Sequence, residues 1–162
     1  MLCQTGRMIV RVARGLDLAG FLDLAGQVEQ WFGPMVEDPG FRRAVEDHIG
    51  RGAALVVDAP AGDRLLGGLL FGSEPPLHQV HWLVVSEEAR GLGVGRALMA
   101  EALGRFAAGG GTVEVVTFGA DHPGAEAGGA RVFYESLGFT PGEPAPAGPE
   151  GGSRQVYRRA VG

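Results

Sequence analysis

The chain has 162 residues, 45% of them hydrophobic and 20% charged, with a formal net charge of −5 at pH 7. Those values fit one folded domain with room for a core and exclude a collagen-like or disordered chain. An acidic balance without a basic stripe also excludes the electrostatic footprint of a nucleic-acid binder.

In chain order, residues 1–7 read as a disordered terminus and 8–162 as one domain. Met8 to Ala13 predicts a first strand, and Leu16 to Phe32 a helix with Leu18, Phe21, Leu22 and Leu24 on its apolar face. Gly33-Pro34 breaks it. A second helix is expected from Pro39 to Ile49, with Asp38 as N-cap and Pro39 in the first helical position. Ala53 to Asp58 and Arg64 to Phe71 read as strands joined by a Pro/Gly/Asp turn. A fourth strand, Gln79 to Val85, follows Pro75-Pro76. A helix then runs to the Gly109–Gly111 stop, and Thr112 to Phe118 is strongly β-prone. Gly119 to Gly129 predicts a long loop, then a short helix around Tyr134 and a strand opening at Phe139-Thr140. Residues 141–152, rich in Pro and Gly, predict a loop, and Arg154 to Val161 a last strand.

Other features narrow the chemistry. All fourteen basic residues are arginine, so no lysine amine is available as a base. Cys3 is the only cysteine, which excludes internal disulfides and a cysteine-rich metal centre. His122 with Asp121 or Glu126 makes too small a ligand set for a metal site. No apolar run approaches the ~20 residues of a membrane span. The first residues lack the basic, apolar, small-residue succession of a secretion signal, so a cytoplasmic protein is expected.

The most informative stretch is Arg90-Gly91-Leu92-Gly93-Val94-Gly95-Arg96, between the Trp82–Val85 strand and the Ala97, Leu98, Met99 helix. A glycine loop feeding a helix N-terminus is an anion site, because the first amides lack intrahelical partners and the dipole adds positive character. The spacing is not the dinucleotide G-x-G-x-x-G, and without lysine there is no nucleoside-triphosphate loop. What it matches is R-x-x-G-x-G, on Arg90, Gly93 and Gly95. Downstream, Arg131-Val132-Phe133-Tyr134-Glu135-Ser136-Leu137-Gly138-Phe139 is a short helix with a tyrosine and a Leu-Gly-Phe ending. Together, in this order, the two motifs resemble the GNAT superfamily of N-acetyltransferases.

That resemblance implies a single mixed, mostly antiparallel sheet of six to seven strands with about four flanking helices, strands four and five splayed. It implies acetyl-CoA as co-substrate and a primary amine of a small molecule or protein as acceptor, with direct attack in a ternary complex and no metal. Carried over, Leu83, Val84 and Val85 offer backbone to the pantetheine arm, and Arg90, Gly91, Leu92, Gly93, Val94, Gly95 and Arg96 hold the pyrophosphate. An N–H near Val84 or Val85 is placed for the oxyanion. Tyr134 becomes the acid for the departing thiolate, since tyrosine and thiol pKa values of about 10 and about 8.5 permit it. His81 is the candidate base, with an unperturbed pKa of about 6.5. Alternation puts His81, Leu83 and Val85 on one face with Gln79 beside them. Glu114 stands where some relatives carry a proton-accepting glutamate. Helices one and two normally wall the acceptor pocket, making Trp31, Phe32, Glu37 and Asp38 candidates, the aromatic pair by cation–π contact; Asp121 and His122 are candidates from the long loop. One position departs from the pattern: Ala127 stands where many relatives carry a cofactor-contacting asparagine.

Two other readings remain open from sequence. A non-catalytic acyl-CoA-binding regulatory module keeps the glycine loop but has no need of Tyr134 and His81. A generic α/β interaction domain leaves both motifs unexplained. Pairing through a sheet edge into a homodimer is compatible with the fold; no nucleic-acid or membrane partner is expected.

Overall fold

The structure is a computed structural model that describes residues 8–29, 35–119, 129–147 and 152–161. Its strands are β1 (Val10–Val12), β2 (Ala54–Asp58), β3 (Leu65–Glu74), β4 (Leu77–Val85), β5 (Gly111–Phe118), β6 (Thr140–Ala145) and β7 (Arg154–Val161). Its α-helices are α1 (Leu18–Gly26), α2 (Pro39–Gly50), α3 (Val94–Phe106) and α4 (Ala130–Ser136). The strands form one sheet in the order β1-β2-β3-β4-β5-β7-β6. Every pairing is antiparallel except β4 with β5. This is the mixed, GNAT-like sheet that the sequence predicts.

The alternation of β2 and β3 sorts side chains onto two apolar layers. Leu55, Val57, Leu69 and Phe71 pack with Leu98, Met99 and Ala102 of α3 and with Tyr134 of α4. Ala54, Val56 and Leu70 pack with Phe21 and Leu24 of α1 and Val45 of α2. Helices α1 and α2 therefore cover one face, and α3 and α4 the other. Two glycines let the helices approach. A Cβ at Gly68 would lie 2.7 Å from the Phe21 ring, and one at Gly67 would lie 2.6 Å from Val94.

Three boundaries differ from expectation. Helix α1 starts at Leu18, after a 3-10 turn over Gly15–Asp17. That turn is pinned by Asp17, which accepts from the Arg14 amide at 2.7 Å and pairs with Arg11 at 2.9 Å. The helix ends at Gly26, not Phe32; beyond it the Glu29 carboxylate accepts from the Met35 and Val36 amides at 2.6 and 2.8 Å. Residues 141–145, expected as loop, belong to β6. The strand tolerates Pro141 and Pro144 because it is the sheet's outer edge, bonded only to β7, where a missing N–H faces no partner.

Candidate active site

The cleft begins where β4 leaves β5. Their parallel ladder runs from Leu77–Thr112 to Val80–Val115 and stops. Beyond it, β4 stays paired with β3 through Val85, and β5 with β7 through Phe118. At the same point β4 carries a β-bulge: Phe71 faces Val80 and Leu70 faces Trp82, leaving His81 as the extra residue. The bulge corrects the simple alternation. Leu83 and Val85 pack toward the α3/α4 layer, as Val80 does, whereas Trp82 packs on the α1/α2 layer. His81 joins Trp82 on that second face, where its ring covers Gly72 and meets His48 of α2.

Two cavities open on this split, of about 450 and 550 Å³, and both are lined by Leu83, Ala130 and Tyr134. The smaller holds the glycine loop. Gly91 and Gly93 have φ of 81° and 88°, left-handed values that disfavour any side chain. Gly93 caps α3, and the first intrahelical bond runs from Ala97 N–H to Gly93 O, so the amides of Val94, Gly95 and Arg96 have no intrahelical acceptor. Gly95 is glycine for a different reason, since its Cβ would lie 3.1 Å from the Phe133 ring. Arg90 and Arg96 line the same cavity, and Arg96 is steered by a 3.2 Å bond to Ser136 Oγ. The loop is thus a cationic nest at a helix N-terminus, suited to a phosphorylated ligand.

Backbone register identifies the free groups of β4. Ser86 N–H bonds to Leu66 O at 2.8 Å, so even-numbered residues on this stretch point their backbone groups at β3. Leu83 and Val85 therefore turn their N–H and C=O toward the open side, where β5 has departed. The side chain of Val84 is buried with the α1/α2 layer.

Tyr134 sits at the junction of the two cavities, 6% exposed. The Leu-Gly-Phe ending fixes it. Phe139 N–H bonds to Tyr134 O at 3.0 Å and Gly138 N–H to Glu135 O at 3.1 Å, a Schellman stop with Gly138 at φ 89°. The chain reversal lays Phe139 against the Tyr134 ring, centroids 5.6 Å apart, with Phe133 at 5.1 Å. Burial drives the phenol pKa well above its usual value, so the hydroxyl keeps its proton at neutral pH.

The larger cavity is lined by His81, Gln79, Glu114, Asp38, Phe41, Trp82 and Arg154 among others. His81 Nδ1 lies 2.8 Å from His48 Nε2, and His81 Nε2 lies 3.4 Å from Gln79 Oε1. Gln79 reaches on to Glu114 Oε1 at 3.4 Å. Partial burial, then His48 and Arg51, hold the His81 pKa below its ordinary value, so the ring is neutral near pH 7. Glu114 Oε2 is held by Arg158 at 2.5 Å. Asp38 is committed locally as the N-cap of α2, accepting from the Gly40 amide at 2.9 Å.

A family model, the acetyltransferase (GNAT) domain, matches residues 45–141. The chain belongs to the GNAT acetyltransferases. No curated protein sequence matches it. Solved structures of the same fold include a GNAT-family putative acetyltransferase from Desulfovibrio desulfuricans, 22% identical, with a TM-score of 0.73 over 96% of this chain and 99% of that one. Ard1 from Thermoplasma volcanium is 17% identical, with a TM-score of 0.75 over 95% and 97%. The PaiA N-acetyltransferase from Thermoplasma acidophilum, solved in complex with coenzyme A, is 13% identical, with a TM-score of 0.73 over 96% and 100%.

In this GNAT acetyltransferase the residues singled out by sequence fall into two groups. Arg90, Gly91, Gly93, Val94, Gly95 and Arg96 of the glycine loop, with Leu83–Val85 and Tyr134, line the smaller cavity, while Leu92 of the same loop is exposed and does not; His81 and Glu114 line the larger, with Leu83 and Tyr134 common to both. Trp31, Phe32, Asp121, His122 and Ala127 lie outside the described residues. Besides Tyr134 and His81, the aromatic side chains lining the larger cavity among the described residues are Phe41 and Trp82, whose ring centroids lie 5.6 Å apart. His48 and Gly72 were not picked out by sequence. A buried helix histidine gives no periodic signal, and Gly72 matters only because the His81 ring lies over it. Among the described residues no helix is long and apolar enough to cross a membrane.

Proposed function

We propose that the protein transfers acetyl from acetyl-CoA to a primary amine by direct attack in a ternary complex. The observation that carries this is the junction at Tyr134. A cavity with a cationic, amide-rich loop and a cavity with a neutral histidine meet there, through the gap between β4 and β5. The donor substrate enters from the glycine-loop side: the amides of Val94, Gly95 and Arg96, with Arg90 and Arg96, hold its pyrophosphate. Leu83 and Val85 backbone groups pair with its arm in place of the missing strand.

The acceptor arrives from the α1/α2 side. His81 Nε2 takes a proton from the ammonium, and the freed amine attacks the thioester carbon. The Val85 or Leu83 N–H facing the gap stabilises the oxyanion, a type of contact whose loss costs about 2.7–4 kcal/mol. As the C–S bond breaks, the Tyr134 hydroxyl donates to the departing sulfur. Burial raises the proton affinity of every anion forming in this cleft, the thiolate included, so the high phenol pKa does not mismatch the pair. Glu114, tied to Arg158, acts at a distance through Gln79, favouring the transient charge on His81.

Calorimetric titration with acetyl-CoA tests the donor site. Micromolar binding to the wild type and none to Gly93→Glu is expected; a folded wild type that does not bind would end the proposal. Thiol release with a panel of primary amines then tests transfer, and binding without turnover on any amine would favour an acyl-CoA-binding regulatory module.

A further inference from the structure

His48 belongs to neither motif, yet it is 6% exposed on α2 and both of its ring nitrogens are engaged. Its Nδ1 lies 2.6 Å from Ala44 O, and a carbonyl can only accept, so Nδ1 carries a hydrogen. With both rings neutral, His48 Nε2 is then a lone pair. The 2.8 Å contact to His81 Nδ1 is satisfied in one way only, with the hydrogen on His81 Nδ1. That leaves His81 Nε2 bare in the larger cavity, 3.4 Å from Gln79 Oε1, an oxygen that only accepts, so this longer contact becomes a hydrogen bond once Nε2 takes up a proton. The rings meet edge to face, centroids 5.1 Å apart, which fixes the orientation of His81 as well as its tautomer.

We propose that His48 is a positioning residue, which locks His81 in the Nδ1–H tautomer and so presents the Nε2 lone pair to the incoming ammonium. This rests on the proposed role of His81 as base. The proton balance is simple. The ammonium N–H bond breaks, Nε2–H forms, and the imidazolium keeps its Nδ1–H bond to His48 while Nε2–H turns to Gln79 Oε1. The charges around the pair are Arg51, itself tied to Asp47, at the end of α2, and Glu114 with Arg158 across the sheet. Asp38 and Arg154 line the same cavity.

The test is long-range proton–nitrogen NMR of the histidine rings across a pH titration, for the wild type, His48→Gln and His48→Phe. At neutral pH both His48 and His81 of the wild type are expected to show a protonated Nδ1 and a bare Nε2. Gln supplies an amide oxygen near the place of Nε2 and keeps the His81 tautomer. Phe releases the ring, giving mixed tautomers. A wild-type His81 protonated at Nε2, or an unchanged tautomer in His48→Phe, overturns the lock.

Turnover separates this from the base role. With acetyl-CoA and an arylalkylamine, a polyamine and an unblocked peptide as probes, kcat is expected to fall about 100-fold or more in His81→Ala. It should fall about tenfold in His48→Phe and largely recover in His48→Gln, with acetyl-CoA affinity constant throughout. Wild-type turnover by His81→Ala would remove the base and with it the purpose of the lock, even where the NMR tautomer stands. Loss in His81→Ala with none in His48→Phe would keep the base and refute His48.

Discussion

The chain has two tyrosines, and the structure assigns them opposite liabilities. Tyr157 is fully buried, donates its hydroxyl to Glu135 at 2.9 Å, and lies under the Arg131 guanidinium at 5.3 Å. Tyr134 is nearly as buried, but among the described residues its hydroxyl has no hydrogen-bond partner. Replacing each by Phe removes one oxygen and leaves the ring contacts in place. At position 157 the loss is a hydrogen bond whose acceptor, on exposed Glu135, water can reach, so the cost is about 1 kcal/mol. For a domain of this size that lowers Tm by about 2–4 °C. At position 134 nothing is broken, and shedding an unpartnered hydroxyl from an apolar site is neutral or mildly stabilising. Activity inverts the order. Tyr134→Phe loses the donor proposed for the departing sulfur and is expected to lower kcat by about 100-fold, near 2.7 kcal/mol of barrier. Tyr157→Phe should leave kcat within about twofold, since its ring still supports Tyr134 at a centroid distance of 6.4 Å. Urea unfolding, steady-state thiol release and calorimetric binding of coenzyme A supply the three readouts. A Tyr134→Phe protein that loses a kilocalorie or more of stability while keeping its kcat would refute the reasoning, because the hydroxyl would then be structural.

Gly93→Ala places a Cβ at φ 88° and is expected to cost about 1–2 kcal/mol of stability, or to reshape the loop. Acetyl-CoA affinity, read by calorimetry, should fall about tenfold. Gly104→Ala, in the interior of α3 with open space at its Cβ, should instead stabilise by about 0.5–1 kcal/mol in urea unfolding. Gly72→Ala would put a methyl 2.7 Å from His81 Nε2, so the ring must leave its place over β3. kcat should drop with little change in acetyl-CoA affinity, and a wild-type kcat would mean that the ring's position is immaterial. His81 has a folded pKa below its unfolded value of about 6.5, so the unfolded chain binds more protons between the two. Its contribution to stability is therefore full above pH ~6.5 and lost progressively below it, and the acid limb of kcat/KM should likewise lie below pH ~6.5. A limb above that value would assign the base elsewhere.

The glycine loop and the tyrosine helix were legible because each is a local device. Glycines 91 and 93 are required by φ, and Leu137-Gly138-Phe139 by a helix stop, so residue type at fixed spacing reports geometry directly. The strands were legible for the same reason, as β-branched runs between glycine and proline punctuation. What alternation misplaced was the face of Leu83 and Val85 relative to His81. A bulge depends on how β3 and β4 meet, and nothing within Leu77–Val85 marks its extra residue. The β6 prolines misled in the other direction, since proline excludes a strand only where its N–H is needed and an edge does not need it. His48 was invisible because its significance lies wholly in a partner 33 positions away.

The bulge also ties the two halves of the cleft together. An extra residue in one strand bends it and increases its local twist. In β4 that residue is His81, immediately after Val80, the last residue paired with β5. The bend that turns β4 away from β5 is thus centred where the parallel ladder ends, and it frees the outward backbone groups of Leu83 and Val85. The same insertion puts Trp82 beside His81 on the α1/α2 face, where His81 meets His48, and returns Leu83 and Val85 to the α3/α4 side. Opening the gap proposed for the donor's arm and turning Leu83 and Val85 toward the α3/α4 side are then one structural event. Deleting the bulge by shortening β4 by a single residue should accordingly lose both acetyl-CoA affinity and the His48–His81 contact, whereas Gly93→Ala should lose only the first. Calorimetry paired with the histidine NMR spectra separates the cases. A shortened strand that still binds acetyl-CoA as the wild type does would show that the splay has another origin.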